Sequence, residues 1–431
     1  RAGAAGGARG GAGRRPAGPE REGRAMLVTS TLGSGGSERQ VMYTMRGLAA
    51  NAHDFDSVEL AVRSLDPYQR RDFFLPSIRE LGGEIFELAG EDLFDQVRAL
   101  GREALPHREA IRLAAVLPQE IQAVTLPLLG LFLRRRPDVV HLWQDTINIA
   151  GGLAALMAGV PRIVMGTRST RPDARRRLRR YLLPGYREML RLPQITMVNN
   201  SHNGARDYED WIGLPEGTIR VIHNGFDVTQ LRGAAEMPAE ARALGIPADA
   251  VVIGGVMRFS EEKRPELFVD TAIELAGRLP EAHFLLIGDG PLRPELLRLV
   301  RERGLADRIH LPGAKRPIEP WMRMMSLLLL TSRMEGLPNV LIEAQLLGVP
   351  VAATDVGGAK ETMVADKTGI LIDSGDPTVL AGRLFELLSD RGRMTAMAEE
   401  AGRWAPESFS LAAMTGATLR VYAETPADSA P

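Results

Sequence analysis

The sequence predicts an α/β protein built from two doubly wound parallel sheets that face each other across a cleft. The chain has 431 residues, more than a single hydrophobic core usually serves. Short β-rich runs alternate with longer amphipathic runs, which is typical of parallel strands joined by right-handed helical crossovers. Because the alternation forms two successive series, we expect two domains that bind ligand between them, at the carboxyl ends of their strands.

The predicted strands divide the chain into two domains with a tail at each end. In the first domain, residues 25–228, they are AMLVTSTL, SVELAVRS, EIFELA, DVVHLW, RIVMGT, ITMVNNS and IRVIHNG. In the second, residues 229–404, they are VVIGGVMR, HFLLIGDG, IHLPG, SLLLLTS, PVAATD and GILID. Residues 1–24 are rich in Gly, Ala and Arg without apolar periodicity, which predicts a disordered tail. Residues 405–431 are predicted to form, after a Trp-Ala-Pro break, a helix packed back on the first domain and a second tail.

The composition excludes several classes of protein and of site. Hydrophobic residues make up 45% and charged residues 25% of the chain, as in globular proteins. The formal net charge of −1 gives no basic field for nucleic acid. The absence of cysteine excludes disulfides, a cysteine nucleophile and thiolate metal sites, and fits a cytoplasmic protein. The most apolar segment, INIAGGLAALMAGVPRIVMG, is interrupted by Gly-Val-Pro and an arginine, so it predicts a core helix and a strand.

The loop after the first strand, GSGGSER, does not fit the dinucleotide-binding fingerprint, because the third glycine would fall at Glu38. It does place Gly35 and Gly36 at the start of a helix. Bare backbone amides and the helix dipole favour an anion there. The alternative interpretation is an ordinary tight turn.

The loop GVMRFSEEKRP opens the second domain and contains two cations, Arg258 and Lys263, before a helix marked by Pro265. A guanidinium fork and an ammonium converging at a strand end suit a diphosphate. The alternative is a solvated surface loop.

Two acids, Glu335 and Glu343, stand eight positions apart in RMEGLPNVLIEAQ, within an apolar neighbourhood. Pro338 marks the start of a helix, so Glu335 is predicted in the preceding loop and Glu343 on the helix near the same mouth. Carboxylates bind pairs of hydroxyls such as those of sugars and ribose. The amides of residues 336–339 would face phosphate. The alternative is one buried structural acid and one acid on the helix surface.

These motifs resemble those of glycosyltransferase family 4, the glycosyl transferases group 1. The resemblance extends from Ala25 to about Ala423, through GSGGSERQ, RVIHNGFD, GVMRFSEEKRPELFV, LLIGDGP, EGLPNVLIEA and DVGGAKE. Members of this family are retaining enzymes with the GT-B fold, in which two Rossmann-like domains face each other across a cleft. The resemblance therefore implies the same architecture here.

The resemblance also implies a role for each motif residue. Arg258 and Lys263 would hold the donor diphosphate, Glu335 would contact the transferred sugar, and Glu343 the ribose. Arg258, Lys263 and Glu335 are thus the predicted catalytic residues. The predicted donor-binding residues are Gly35, Gly36, Gly336, Leu337, Pro338, Asn339 and Glu343. No metal or other cofactor is expected, since the nucleotide diphosphate sugar is itself a substrate.

The acceptor side departs from the family pattern. Many relatives carry a histidine after the strand RIVMGT, where this chain has Thr167 or Arg168. His141 matches a first family histidine, whereas Trp143 replaces a second. His141 and Arg168 are therefore the acceptor-side candidates. The alternative for His141 is a structural histidine at a strand end.

Residues 168–191 contain nine arginines and two acids, together with leucine and tyrosine. Such a basic amphipathic segment is typical of a surface that contacts an anionic membrane. It predicts peripheral attachment to the inner face of the plasma membrane. The alternative is a solvated arginine-rich helix.

The implied enzyme is a retaining, metal-independent hexosyltransferase that moves a sugar from a nucleotide diphosphate sugar to a hydroxyl of a glycan or lipid-linked acceptor. Its expected place is bacterial exopolysaccharide, lipopolysaccharide or glycolipid assembly. Two alternatives have the same fold: a sugar-nucleotide epimerase or hydrolase, and a non-catalytic sugar-nucleotide-binding subunit. The Glu335 and Glu343 signature argues against the first alternative. The second is disfavoured because these two acids and the cations Arg258 and Lys263 are all intact. UDP and GDP both remain open as the nucleotide, as do the sugar and the acceptor.

Overall fold

The computed structural model describes residues 23–51, 55–88, 108–173, 179–233 and 236–424. These residues form two parallel sheets, one of seven strands and one of six, which confirms the predicted α/β architecture. The predicted tail of residues 1–24 lies almost entirely outside the described residues, as does the tail after residue 424.

The seven strands of the first sheet are β1 (Arg24–Thr29), β2 (Ser57–Val62), β3 (Ile85–Glu87), β4 (Val139–Trp143), β5 (Arg162–Thr167), β6 (Ile195–Asn199) and β7 (Arg220–Val221). The six strands of the second are β8 (Val252–Val256), β9 (His283–Ile287), β10 (Ile309–Gly313), β11 (Leu327–Leu330), β12 (Val351–Thr354) and β13 (Gly369–Ile372). Each coincides with a predicted strand, so the strand predictions are confirmed.

The helices around the first sheet are α1 (Gly36–Ala50), α2 (Leu75–Arg79), α3 (Arg108–Ala115), α4 (Gln119–Arg135), α5 (Asp145–Met157), α6 (Leu182–Met189) and α7 (His202–Ile212). The short helices α8 (Val228–Arg232) and α9 (Ala239–Arg242) lead to the second sheet. The remaining helices are α10 (Pro265–Arg278), α11 (Arg293–Glu302), α12 (Glu319–Met322), α13 (Asn339–Leu346), α14 (Pro377–Ser389), α15 (Arg391–Ser408) and α16 (Leu411–Ala423), with 3₁₀ turns at Pro67–Gln69 and Gly357–Thr362. None of the helices in the described ranges has the length and apolarity needed to cross a membrane.

Both faces of each sheet are covered, as alternation along the strands shows. In β1, Met26 and Val28 pack into one hydrophobic cluster, whereas Ala25 and Leu27 pack into the cluster on the opposite face. Successive side chains of a strand point to opposite faces, so a strand buried on both sides is apolar throughout.

The strand orders of the two sheets indicate where a ligand would bind. The first sheet runs β3-β2-β1-β4-β5-β6-β7 and the second β10-β9-β8-β11-β12-β13. The order reverses between β1 and β4 and again between β8 and β11. A doubly wound sheet binds its ligands at the carboxyl ends of the strands beside such a reversal.

The predicted break at Trp-Ala-Pro is wrong. Helix α15 continues through Trp404 and Pro406 to Ser408. A proline inside a helix leaves the carbonyl four residues earlier without its amide partner. That carbonyl belongs to Gly402, and it accepts a hydrogen bond from the guanidinium of Arg232. A hydrogen bond from the segment that leads into the second sheet therefore compensates for the missing helical hydrogen bond.

Candidate active site

A cavity of about 540 Å³ lies between the domains, at the carboxyl ends of β1, β8 and β11. The first domain contributes Arg168, Asn200 and Asn224 to its wall, and the second contributes Lys263 and Glu335. Polar groups from both domains thus face one volume at the two strand-order reversals, which confirms the predicted cleft.

Lys263 and Glu335 form an ion pair on the wall of this first cavity. Lys263 Nζ donates to Glu335 Oε1 over 2.6 Å, and Ser332 Oγ donates to the same oxygen over 2.6 Å. Glu335 is only 9% exposed. A carboxylate this deeply buried needs a partner, and Lys263 provides one. The structure therefore brings the predicted cation and the predicted sugar-binding acid together.

The loop that bears Lys263 is fixed by its neighbour Arg264, which sequence reasoning missed. Arg264 precedes α10 and has a left-handed backbone, with φ of 48°. Its side chain reaches back to the end of β11, where Nε donates to the Thr331 carbonyl over 2.7 Å and Nη2 to the Ser332 carbonyl over 3.1 Å. These hydrogen bonds join the loop after β8 to the loop after β11, and so position Lys263 against Glu335.

A second cavity of about 710 Å³ adjoins the first, with which it shares Gly36 and Asn339. Arg258 is exposed and lines this second cavity, as does Glu343. Lys263 lines only the first. The two predicted diphosphate ligands therefore stand on adjoining cavities, as expected for a ligand that extends across their junction.

Glu343 is held by a residue of the first domain. It is 4% exposed, and its carboxylate accepts a hydrogen bond from Arg39 Nη1 of helix α1. Burial raises the pKa of Glu343, an effect that Arg39 opposes, while Glu343 raises the pKa of Arg39. Neither the partner nor the interdomain nature of this ion pair could be predicted, because the two residues are 304 positions apart.

The two glycines before α1 have different surroundings. Gly36 lies at the junction of the cavities, where an added Cβ would be 2.9 Å from Asn339 Nδ2. A glycine there lets the start of α1 approach the second domain. Gly35 lines neither of these two cavities, and an added Cβ would be 2.2 Å from Glu38 Oε2. Local packing thus explains Gly35, whereas Gly36 faces the site.

The predicted loop of residues 336–339 lines the first cavity. Pro338 is the residue immediately before α13, with φ of −71°, as predicted from its position. Leu337 is 5% exposed and packs in a cluster with first-domain side chains. Asn339 Oδ1 accepts a hydrogen bond from Asn224 Nδ2 over 2.5 Å. The loop is therefore held by both domains.

The two acceptor-side candidates occupy different positions. His141 is 1% exposed, does not line the first cavity, and pairs through Nδ1 with the hydroxyl of Tyr422 over 2.9 Å. Burial, and secondarily the nearby charge of Arg168, holds the pKa of His141 well below its usual value, so this histidine is neutral. Arg168 lines the first cavity, and its guanidinium carbon lies 3.7 Å from the centroid of the Trp143 ring. Of the two, Arg168 is the one that faces the site.

Comparison with known proteins shows which family has these features. The model of Glycosyltransferase Family 4 matches residues 34–230, and that of Glycosyl transferases group 1 matches residues 249–390. The Vi polysaccharide biosynthesis protein VipC/TviE of Salmonella typhi is 33% identical over 422 residues, which are 94% of this chain and 72% of that protein. The chain belongs to glycosyltransferase family 4.

Two further proteins resemble this chain, one in sequence and one in fold. The lipopolysaccharide core biosynthesis glycosyltransferase LpsE of Rhizobium meliloti is 31% identical over 209 residues, 48% of this chain and 58% of LpsE. The crystal structure of Anabaena Alr3699/HepE in complex with UDP has a TM-score of 0.71, with 18% identity over 92% of this chain and 98% of HepE. The likeness to HepE shows that this glycosyltransferase has the GT-B fold predicted from the sequence.

Proposed function

We propose that this glycosyltransferase is a retaining enzyme that transfers a sugar from a nucleotide diphosphate sugar to a hydroxyl acceptor during the assembly of a bacterial surface polysaccharide or glycolipid. The observation on which this rests is the pairing of Lys263 with Glu335 on a cavity enclosed by both domains. The roles of VipC/TviE in Vi polysaccharide biosynthesis and of LpsE in lipopolysaccharide core biosynthesis favour a polysaccharide or lipopolysaccharide product. The UDP in the HepE complex favours a nucleotide-linked donor.

The donor would extend across the junction of the two cavities. The sugar would lie in the first cavity beside Glu335 and the nucleoside in the second beside Glu343, with the diphosphate between Lys263 and Arg258. Within the described ranges, no hydrogen bond reaches Glu335 Oε2, so this oxygen can accept from sugar hydroxyls. Glu343 would bind the ribose hydroxyls after exchanging its contact with Arg39.

The chemistry requires that charge on the leaving group be stabilised. The bond between the anomeric carbon and the phosphate oxygen breaks, and the acceptor oxygen bonds to the same face of that carbon. The acceptor proton passes to the departing phosphate. Negative charge builds on the diphosphate as the sugar becomes oxocarbenium-like, and preorganised cations lower the energy of that state. Lys263 and Arg258 would supply these charges without a metal ion.

Titration with nucleotides tests the donor site. Binding to the folded state raises stability by mass action, by about 2.7 kcal/mol at a ligand concentration 100 times the Kd. We expect UDP or GDP to raise the melting temperature, with ADP as a third ligand for comparison. The nucleotide that binds most tightly identifies the donor base. If none of the three changes the melting temperature at millimolar concentration, the donor assignment is contradicted.

A product assay separates the proposed activity from its alternatives. With the matching sugar nucleotide, a transferase releases nucleoside diphosphate faster when acceptor is added, and the sugar appears in the acceptor. A hydrolase releases free sugar at a rate that acceptor does not change, and an epimerase produces an isomeric sugar. A binding subunit releases nothing.

The membrane contact also belongs to this proposal. We expect binding to anionic vesicles that falls steeply with salt, since each arginine near an anionic bilayer contributes about 1 kcal/mol and salt screens the attraction. Changing five arginines to glutamine should abolish it: Arg175, Arg176, Arg177, Arg179 and Arg180. The first three lie outside the described residues, and Arg179 is 3.6 Å from Glu120.

Co-sedimentation with anionic and with neutral vesicles makes the measurement. A matched control replaces exposed arginines of the second domain, Arg298, Arg301 and Arg303, and should leave vesicle binding unchanged. If the wild-type protein does not bind anionic vesicles even at low salt, the membrane proposal is wrong and residues 168–191 are a solvated surface.

A further inference from the structure

We propose that Arg168 recognises a carboxylate on the sugar substrate, so that this enzyme handles a hexuronic acid. The inference deepens the proposed function and rests on it. It names the substrate class from an arginine that the donor and diphosphate assignments leave unused.

The position of Arg168 puts it beside the reacting sugar. It follows β5 and lines the first cavity, in which the transferred sugar is proposed to lie. An added Cβ on Gly336 would be 2.7 Å from the Arg168 carbonyl oxygen, so the backbone of Arg168 lies directly against the loop that bears Glu335. The guanidinium rests on the ring of Trp143, and Nη1 donates to Asn224 Oδ1 over 3.0 Å. These contacts fix the orientation of the guanidinium.

The charge of Arg168 is not paired with a carboxylate in the part of the chain that the structure describes. Among the described residues, no carboxylate contacts it, and its Nε is buried without a hydrogen-bond acceptor. Burial lowers the pKa of Arg168 to about 9, so the side chain remains charged at neutral pH. A partly buried cation whose Nε is fully buried and which has no anion beside it is destabilising, and a ligand anion would offset that cost.

The acids of the first cavity are already engaged by other cations. Glu335 is paired with Lys263. Glu262 lies on the loop of the second domain, where burial tends to raise its pKa, but hydrogen bonds from its own backbone amide and from Ser260, together with the charges of Lys263 and Arg258, lower it. Both acids are contributed to the cavity by the second domain, whereas Arg168 belongs to the first. A planar guanidinium fork matches a carboxylate in geometry, which makes a sugar carboxylate the fitting partner.

The diphosphate fits Arg168 less well. Arg258 lines the second cavity, and Lys263, on the first, is the cation paired with Glu335, whereas Arg168 lies on the first-domain wall of the first cavity and does not line the second. A carboxylate in the first cavity can belong to the transferred sugar or to the acceptor sugar. The chemistry recognised is the same, and binding experiments distinguish the two sources.

The first experiment uses calorimetry to compare the affinities of an acidic and a neutral sugar-nucleotide donor, both carrying the nucleotide base that the protein binds. The pair is UDP-glucuronic acid with UDP-glucose, or GDP-mannuronic acid with GDP-mannose. Hydrogen bonds to charged groups lead us to expect the acidic donor to bind about tenfold more tightly. Arg168→Gln should bring the affinity ratio close to one, and Arg168→Lys should keep part of the preference. The control Arg171→Gln, at an arginine paired with Asp173 and Asp207, should keep the wild-type ratio.

The second experiment tests the acceptor: it measures the binding of free glucuronate and of free glucose to the protein saturated with its nucleoside diphosphate. A preference for glucuronate that Arg168→Gln removes, with no preference among donors, assigns the carboxylate to the acceptor. Within-variant ratios are not affected by partial misfolding. The proposal is overturned if Arg168→Gln changes neither ratio, or if it weakens the free nucleoside diphosphate and both donors equally. Failure to bind any nucleotide contradicts the proposed function itself, and is seen before a ratio is measured.

Discussion

Replacing Lys263 with alanine is expected to lower turnover by about 100-fold or more while leaving the protein folded. Loss of one preorganised group that stabilises transition-state charge typically costs a factor of this size. Lys263 is the cation of the first cavity that contacts Glu335, so the change removes a charge beside both the proposed position of the leaving diphosphate and the acid proposed to bind the sugar. The measurement is kcat for acceptor-dependent release of nucleoside diphosphate, with circular dichroism and thermal melting to check the fold.

Another of the chain's few lysines provides a matched control. Lys367 is exposed in a turn before β13, and Lys367→Ala should keep wild-type turnover. If a well-folded Lys263→Ala variant also turns over at the wild-type rate, Lys263 is a structural partner of Glu335 and the leaving-group assignment is wrong.

Replacing Arg39 with methionine is expected to destabilise the protein by about 3 kcal/mol at neutral pH, because it leaves the charge of Glu343 buried without its partner. We take the low end of the range for broken buried pairs, since the Arg39 side chain is 23% exposed. Burial already raises the pKa of Glu343 above 4.5 with Arg39 present, and removing the cation raises it further. Urea unfolding at a series of pH values gives the measurement.

The pH dependence follows from the direction of this shift. When the folded-state pKa of an acid is raised, the native protein binds more protons than the unfolded chain at intermediate pH. The protein is therefore most stable below the pKa that this acid has in the unfolded chain, and its stability falls as pH rises through the higher pKa of the acid in the folded state. The deficit of Arg39→Met should accordingly shrink as pH approaches 4.5, the ordinary value for this acid, and grow towards neutrality.

Two further variants isolate the ion pair. The double variant Arg39→Met, Glu343→Gln removes both charges and should recover much of the lost stability. Arg46→Met on the same helix breaks a more exposed pair with Asp227 and should cost about 1 kcal/mol or less. A pH-independent deficit in Arg39→Met that the double variant does not reduce would show that packing of the arginine stem, and not the charge of Glu343, is responsible.

The strands and the loops after them could be predicted from sequence because both are local properties. Alternation of short apolar runs with helical runs predicted every strand of the two sheets, and the topology then placed Glu335 at a carboxyl end. The GLPN turn similarly placed Pro338 before α13. The break predicted at Pro406 failed because the local rule for proline could not include the guanidinium of Arg232, which lies 170 positions from the carbonyl it contacts.

Contacts between the domains could not be predicted in this way. Arg39 with Glu343 and Asn224 with Asn339 are pairs separated by 304 and 115 positions, and no periodicity or motif spacing connects them. Arg264 was missed for a related reason, since its left-handed backbone and its hydrogen bonds to the end of β11 depend on how two loops meet. These contacts turn separately predictable loops into one site.

The most direct test of the central claim is a crystal structure of the protein with its sugar nucleotide bound. We predict that the nucleotide occupies the junction of the two cavities, with diphosphate oxygens within hydrogen-bonding distance of Lys263 Nζ and the Arg258 guanidinium. We also predict ribose hydroxyls on Glu343 and sugar hydroxyls on Glu335. A nucleotide bound outside this cleft, or a diphosphate that contacts neither Lys263 nor Arg258, would contradict the account.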